Sequence, residues 1–582
     1  MRFLSVRGYA STALPRFFAS RLRTGVVLVT ASVLSLIAAP ASATITVTTT
    51  LTGDTNTITD PNIIDNGTVD FNQNFNGSYT GTISGTGNLS KDGTGAVQLT
   101  GSYSYAGQTK INAGSLALGG TTNSLSGAVV DNSLLIGEAN NLTLSGAISG
   151  TGGVTVSAGT TSLTGTYNYS GATTISSGTL VLGGSGVNNR LSGSFVDNGS
   201  LVASSISAGT ISGAFSGTGN VTVNSSASLL FTGSYNFSGA TTVASAGSLE
   251  FAGTGGTISG NVANIGQLQI GVSTNPVIFS GNITGGGQFT LIGSANVVFT
   301  GNSLASPTNI GASSTLTLAG TNSTVSFAMN DAGNLISQGT NVVLSSGLSG
   351  AGTLTVTAGT LSVTATAANF TGTTTISGGT LVLGGPATET LTGNVIDNSS
   401  LVVQTASLTL AGAVSGTGGV TLSSGSLSLT GNYNYSGTTN VASGTTLNLG
   451  GTGGTLGGIV DNGAVVANST GSVTVSGPES GLGNVTANAG ALSLNGGFNY
   501  SGTTTIASGA TINLGGPGGT LSGNVVDNGS LVNTSTAQST LSGALTGTGG
   551  VTVSAGTLSL TGAYSYTGQT TINSGTLLLG GG

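Results

Sequence analysis

Residues 153–182 read Gly153-Val-Thr-Val-Ser-Ala-Gly-Thr160-Thr-Ser-Leu-Thr-Gly165-Thr-Tyr167-Asn-Tyr169-Ser-Gly171-Ala-Thr-Thr-Ile175-Ser-Ser-Gly178-Thr-Leu180-Val-Leu182. Apolar side chains fall on every second position, as in Val154/Val156 and Leu180/Leu182, which places them on one face of an extended strand. Glycine breaks the run every several residues and supplies tight turns. No window carries the 3.6-residue period of an amphipathic helix. The stretch predicts short strands joined by turns.

The pattern recurs along the chain. Asp65-Asn66-Gly67 returns as Asp131-Asn132, Asp197-Asn198-Gly199, Asp331-Ala332-Gly333, Asp397-Asn398, Asp461-Asn462-Gly463 and Asp527-Asn528-Gly529, with Ala263-Asn264 in the fourth slot. An aromatic landmark keeps step with it: Tyr103/Tyr105, Tyr167/Tyr169, Tyr235/Phe237, Tyr433/Tyr435, Phe498/Tyr500 and Tyr564/Tyr566. Copy five keeps only Phe370, and copy four has lost its aromatics and gained Pro276 and Pro307. The result is eight copies of ~66 residues. A disordered linker would not hold apolar alternation in register, and a sandwich or propeller pairs unlike strands. Identical strands stacked on one another give a parallel solenoid. A ~66-residue copy suits roughly three coils, or about 24 coils in all, with the Asp side chains in one column ~14 Å apart.

Composition narrows the chemistry. The 582 residues include 104 Gly and 8 Pro but no His, Cys or Trp. Ser-His-Asp and thiol catalysis, His/Cys metal centres and disulfides are all excluded. Charge is sparse, with 8 basic and 15 acidic residues and a net −7. Five of the basic residues (Arg2, Arg7, Arg16, Arg21, Arg23) precede position 24, leaving Lys91, Lys110 and Arg190 for the remainder. Such an acidic chain offers nucleic acid no footprint.

The N-terminus reads as an export address. An Arg-rich lead is followed by the apolar stretch Thr24–Ala39 and by Ala41-Ser42-Ala43, a small-x-small cleavage pattern. We expect a signal peptide over 1–43 cleaved after Ala43, a capping region over 44–80 and a repeat region over 81–582.

The run from Gly87 to Ile111, carrying Lys91, Gly93, Gly95, Tyr103, Tyr105 and Gly107 and closed by Gly114-Ser-Leu116-Ala-Leu118-Gly119, resembles the autotransporter-associated β-strand repeat. The resemblance covers roughly residues 80–582. It implies a right-handed parallel β-helix of the kind found in type V autotransporter passengers, exported through an outer-membrane barrel. Two features depart from it. Later copies drop the Lys91-x-Gly93 segment, and the sequence stops at Gly582 inside the repeat's closing motif with no set of amphipathic barrel strands after it. On that reading, the translocator or outer-membrane anchor is a separate partner.

Candidate sites are few. The repeated Asp-Asn-Gly is a turn signal before it is a site, and its spacing exceeds the ~5–9.5 Å of glycosidase carboxylate pairs. Asp54, Asp60, Asp65 and Asp70 lie close together in sequence and are weak calcium candidates, set against a role in the polar face of a capping coil. The aromatic pairs sit at i and i+2, hence on one face. Turned outward, Tyr103, Tyr105, Tyr167, Tyr169, Tyr433, Tyr435, Tyr564 and Tyr566 would form sugar-stacking platforms; turned inward, they are core, and the core reading is favoured. No cofactor and no catalytic residue is expected.

The overall expectation is an exported, non-enzymatic β-solenoid acting as a structural or adhesive rod at the cell surface or outside the cell, or in the periplasm if no translocator is supplied. Its expected partners are surface glycans or host and matrix proteins, with self-association as a further option. The alternatives are a glycan-binding or polysaccharide-cleaving β-helix, or a truncated passenger without activity.

Overall fold

The computed structural model describes residues 44–184, 189–365, 369–385 and 388–580. The expected signal peptide and its cleavage point at Ala43 lie outside the described residues. All regular structure among the described residues is β-strand, in elements of two to seven residues. No helix there is long and apolar enough to cross a membrane.

Every strand pairing is parallel and joins one coil to the next at a spacing of about 20 residues. In the first unit Ser115–Leu118 pairs with Leu134–Gly137, which pairs with Gly153–Val156. In the second, Ser200–Ala203 pairs with Asn220–Val223, whose Val221–Val223 pairs with Thr241–Val243. The chain is therefore a parallel β-solenoid of about 26 turns. Its coils form two compact units, one ending at Gly165 and the other spanning Thr166–Gly582. The first described residues are already wound, since Thr44–Val47 pairs with Asn62–Asp65 and Thr50–Gly53 with Thr68–Phe71.

The interior follows from the alternation. In Leu180, Leu201 and Val221, paired in adjacent coils, each side chain is fully buried, while the intervening residues reach solvent. Each such side chain contributes ~1.5–3 kcal/mol through its removal from water.

Three strands make one turn, and the faces of the turn alternate in fixed order along the chain. Strands Phe195–Asp197, Val262–Asn264 and Met329–Asp331 lie ten elements apart and belong to three different sheets. Each ~66-residue copy thus advances three and a third turns, not three. The cause is coil length: paired strands repeat every 18–22 residues and mostly every 19 or 20, so a copy is longer than three coils. The expected single Asp column does not exist; equivalent positions step round the solenoid from face to face.

Candidate functional site

The alternation that buries Phe195 also buries Asp197, because the two are i and i+2 on one strand. The Asp side chain therefore points into the solenoid in every copy that has one: Asp65, Asp131, Asp197, Asp331, Asp397, Asp461 and Asp527 are each at most 1% exposed. There it builds a corner. One carboxylate oxygen accepts the backbone N–H two residues on, at 2.9 Å from Gly67, Ser133, Gly333, Gly463 and Gly529 and 3.0 Å from Gly199 and Ser399. The following Asn reaches outward instead. Asn198 Oδ1 accepts the Thr218 amide of the next coil at 3.3 Å, and Asn528 accepts that of Thr548 at 3.2 Å.

Two glycines of the next coil complete the corner. Gly217 stands opposite Asp197 with φ +126°, and a Cβ there would lie 1.8 Å from the Asp197 carbonyl oxygen. A Cβ on Gly219 would lie 2.2 Å from the Asp197 Oδ1. The same Gly-x-Gly recurs at Gly350/Gly352, Gly416/Gly418, Gly481/Gly483 and Gly547/Gly549 against the Asp of its own copy. Copy four also keeps it in part: Gly285 has φ +109° and stands on Asn264, which occupies the Asp position. This was legible as a Gly-x-Gly about 20 residues after each Asp.

The second carboxylate oxygen of every one of these Asp residues is buried without a hydrogen-bond partner. Burial accordingly pushes the carboxyls of Asp65, Asp131, Asp197, Asp331 and Asp461 up to about 6, opposed by the backbone N–H they accept. Asp397 and Asp527 shift the same way for the same reason. These are interior acids that hold a proton to higher pH than an exposed Asp does, buried away from any ligand.

The aromatic pairs are interior as well. Tyr103, Tyr105, Tyr167, Tyr169, Tyr433 and Tyr435 are all 3% exposed or less, so the sugar-stacking platform is contradicted at these six positions. The reason is the strand parity: in Tyr433-Asn434-Tyr435 both rings face in and Asn434 faces out. Tyr564 differs at 41% exposed, and Tyr566 is half-buried. The second ring of the pair sits in the coil after the Gly. Gly481 pairs with Tyr500 and Gly416 with Tyr435, giving an interior series Asp, Gly, aromatic. Its hydroxyl is held by a threonine four residues on, Tyr105 to Thr109 at 2.7 Å, Tyr435 to Thr439 at 2.7 Å and Tyr500 to Thr504 at 2.7 Å. The Tyr-x-x-x-Thr spacing was present in the sequence as the signal for an inward ring.

The four N-terminal acids are not brought together. Asp54 closes its own turn, accepting the Asn56 and Thr57 amides at 2.9 Å each. Asp60 offers its carbonyl oxygen to the Tyr79 hydroxyl at 2.5 Å. Asp65 is in the interior, and Asp70 lies on the outer side of its strand, where burial, followed by a hydrogen bond and charge repulsion from Asp92, pushes it up to about 6. Among the described residues no group of three or more Asp, Glu, His or Cys stands where it could hold a metal ion. The Lys91 side chain replaces an apolar residue between Phe71 and Ile111, and its Nζ donates to the Asp92, Gly93 and Ala113 carbonyls at 2.7, 2.8 and 3.2 Å.

Two buried acids escaped the sequence reading, Glu389 at 3% exposed and Glu479. Glu479 is 1% exposed and occupies the interior position held by Phe215, Ile283, Leu348, Val414 and Leu545 in sibling copies of the second unit. Only the alignment of copies in register shows the substitution.

The passenger-associated-transport-repeat family model matches residues 89–118, 158–182, 424–449, 487–514, 536–560 and 555–579. Four of those six stretches contain one of the interior aromatic pairs, and 555–579 holds the exposed Tyr564 and half-buried Tyr566. Together with the solenoid, the matches support a likeness to autotransporter passenger repeats, and such repeats imply export. No curated protein and no solved structure matches the chain.

Proposed function

We propose that this passenger-like chain is an exported, non-enzymatic scaffold that works at the cell surface or outside the cell, in structural or adhesive contact with surface glycans or with host and matrix proteins. One observation carries the reading: the groups that recur in register and could do chemistry, the Asp and the tyrosines, are spent on the interior. Outward positions in the same strands are mainly Thr, Ser, Asn, Val and Ala, a surface of backbone-spaced polar ladders such as Thr82 to Asn62 at 2.9 Å and Asn513 to Ser493 at 3.1 Å. Export is assigned to residues 1–43, with cleavage after Ala43. The glycan-cleaving alternative requires two outward carboxylates ~5–9.5 Å apart. Asp197 and Asp397, which share a sheet, stand ten coils apart, ~48 Å.

The test is fractionation of the native host carrying an internally tagged copy, with mass spectrometry of the mature N-terminus. Surface retention lost on protease shaving, with Thr44 as the first residue, is the expected result. A signal confined to the periplasm would overturn the adhesive reading.

A further inference from the structure

Between Tyr435 and Asp527 the chain contains three titratable side chains, Asp461, Glu479 and Tyr500, and the fold gathers them in three consecutive coils. Strand Ile459–Asp461 pairs with Glu479–Gly481, which pairs with Phe498–Tyr500. All three side chains are 2% exposed or less. Both carboxylate oxygens of Glu479 and the Oδ2 of Asp461 are buried without a partner, whereas the Tyr500 hydroxyl is already engaged with Thr504 at 2.7 Å. The charged groups facing Glu479 are thus Asp461 from the preceding coil and, across the next, only the phenol of Tyr500. No cation can neutralise them from within this unit: its single basic residue is Arg190, on a strand more than a dozen coils upstream. Nor is there space beside Asp461, since a Cβ on Gly483 would come within 2.3 Å of the Asp461 carboxyl.

We infer that Glu479 and Asp461 form a proton-binding latch in the solenoid interior, which holds residues 459–506 wound while Glu479 carries a proton and lets these coils open when that proton is lost. In the sibling copies an apolar side chain holds this position at every pH. Two ionised carboxylates in adjacent coils, unpaired and out of water, are far costlier than the open coil in which both are solvated. Burial first, then the neighbouring Asp461, pushes Glu479 from 4.5 up to about 8, so the latch loosens as pH rises towards 8 and is level above, and its last step from pH 7 to 8 lies beyond the value of about 6 to which burial pushes Asp461. The sign follows from linkage: the wound form binds the proton more tightly than the open form, so protection falls as pH rises through the folded value.

The experiment is hydrogen exchange with mass spectrometry on the full chain at pH 7 and pH 9, corrected for intrinsic exchange. Peptides across 459–506 are expected to lose protection by about tenfold between the two pH values, and peptides across 277–330, which contain no Glu, are expected to hold theirs. Glu479→Leu, the sibling solution, removes the response, and Glu479→Gln removes it without changing shape, which covers a Leu variant that fails to fold. An unchanged wild-type pattern overturns the proposal, as does a response that survives in both variants. Recovery of protection at pH 9 on adding calcium at constant ionic strength also overturns it, since a cation would then be the occupant.

Discussion

Residues 195–299 line the solenoid interior largely with phenylalanine, whereas residues 459–506 place a carboxyl and a tyrosine, Glu479 and Tyr500, where that stretch has Phe215 and Phe237; both stretches carry the interior Asp, Asp197 and Asp461. In the first stretch Phe231 and Phe251 stack at 5.1 Å, Phe215 meets Phe237 edge-on at 5.1 Å, and Phe279 meets Phe289 at 5.8 Å. In the second, the position of Phe215 is taken by Glu479 and that of Phe237 by Tyr500. The winding does not change: both have strands three to a turn, and both turn their corners on a left-handed glycine, Gly217 at +126° and Gly481 at +121°. Backbone pairing and corner glycines therefore set the coil, and the interior chemistry sets how firmly and at what pH it holds.

The largest expected effect is in the phenylalanine stretch. Phe251→Ala leaves a cavity among Phe231, Tyr235 and Phe279 and should cost ~3–5 kcal/mol, read as loss of exchange protection in the surrounding coils, while residues 459–506 stay unchanged because solenoid coils couple to their neighbours. Next come the corners, where the two stretches should respond alike. Gly217→Ala and Gly481→Ala each force a Cβ onto a carbonyl oxygen within 2 Å at positive φ, a loss of more than ~1–3 kcal/mol visible in urea-induced local unfolding. A large difference between the two would break the claim that the backbone is shared.

The third prediction separates the copies by pH. The folded carboxyl of Asp197 lies at about 6 against an ordinary 3.8, so its coil is most stable below pH ~4, loses stability as pH rises through 4–6 and is level above. Copy four carries Asn264 at that position, so exchange around 262–264 should show no such step, and Asp197→Asn should flatten the step around 195–199. At the bottom of the scale, Arg190→Ala removes an exposed contact to the Ser212 hydroxyl at 3.0 Å and should change stability by less than ~0.5 kcal/mol in thermal melts.

Much of this was legible in the residues. Alternation at Val154/Val156 and Leu180/Leu182 gives strands, and the step from Asp65 to Asp527 gives stacked copies; the parallel solenoid follows. The rotation of each copy by a third of a turn was not legible, because it depends on whether a coil takes 20 or 22 residues, a difference decided at corners such as Gly217 and Gly219 by how closely two backbones approach. The facing of the tyrosines was half legible. The i and i+2 spacing of Tyr433 and Tyr435 fixes one shared face, but which face is decided by Thr439 and by the apolar rows above and below. Glu479 could not be found from local sequence, since its burial comes from the coils stacked on either side.

The central claim is that the repeated aromatics build the interior and present no binding surface. Residue-resolved tyrosine nitration of the folded full chain tests it most directly. The account predicts reaction at Tyr564 and, more slowly, Tyr566, with Tyr79, Tyr103, Tyr105, Tyr167, Tyr169, Tyr235, Tyr433, Tyr435 and Tyr500 protected until the chain is unfolded. Ready nitration of Tyr167, Tyr169, Tyr433 or Tyr435 in the folded protein would contradict it and return those rings to the surface.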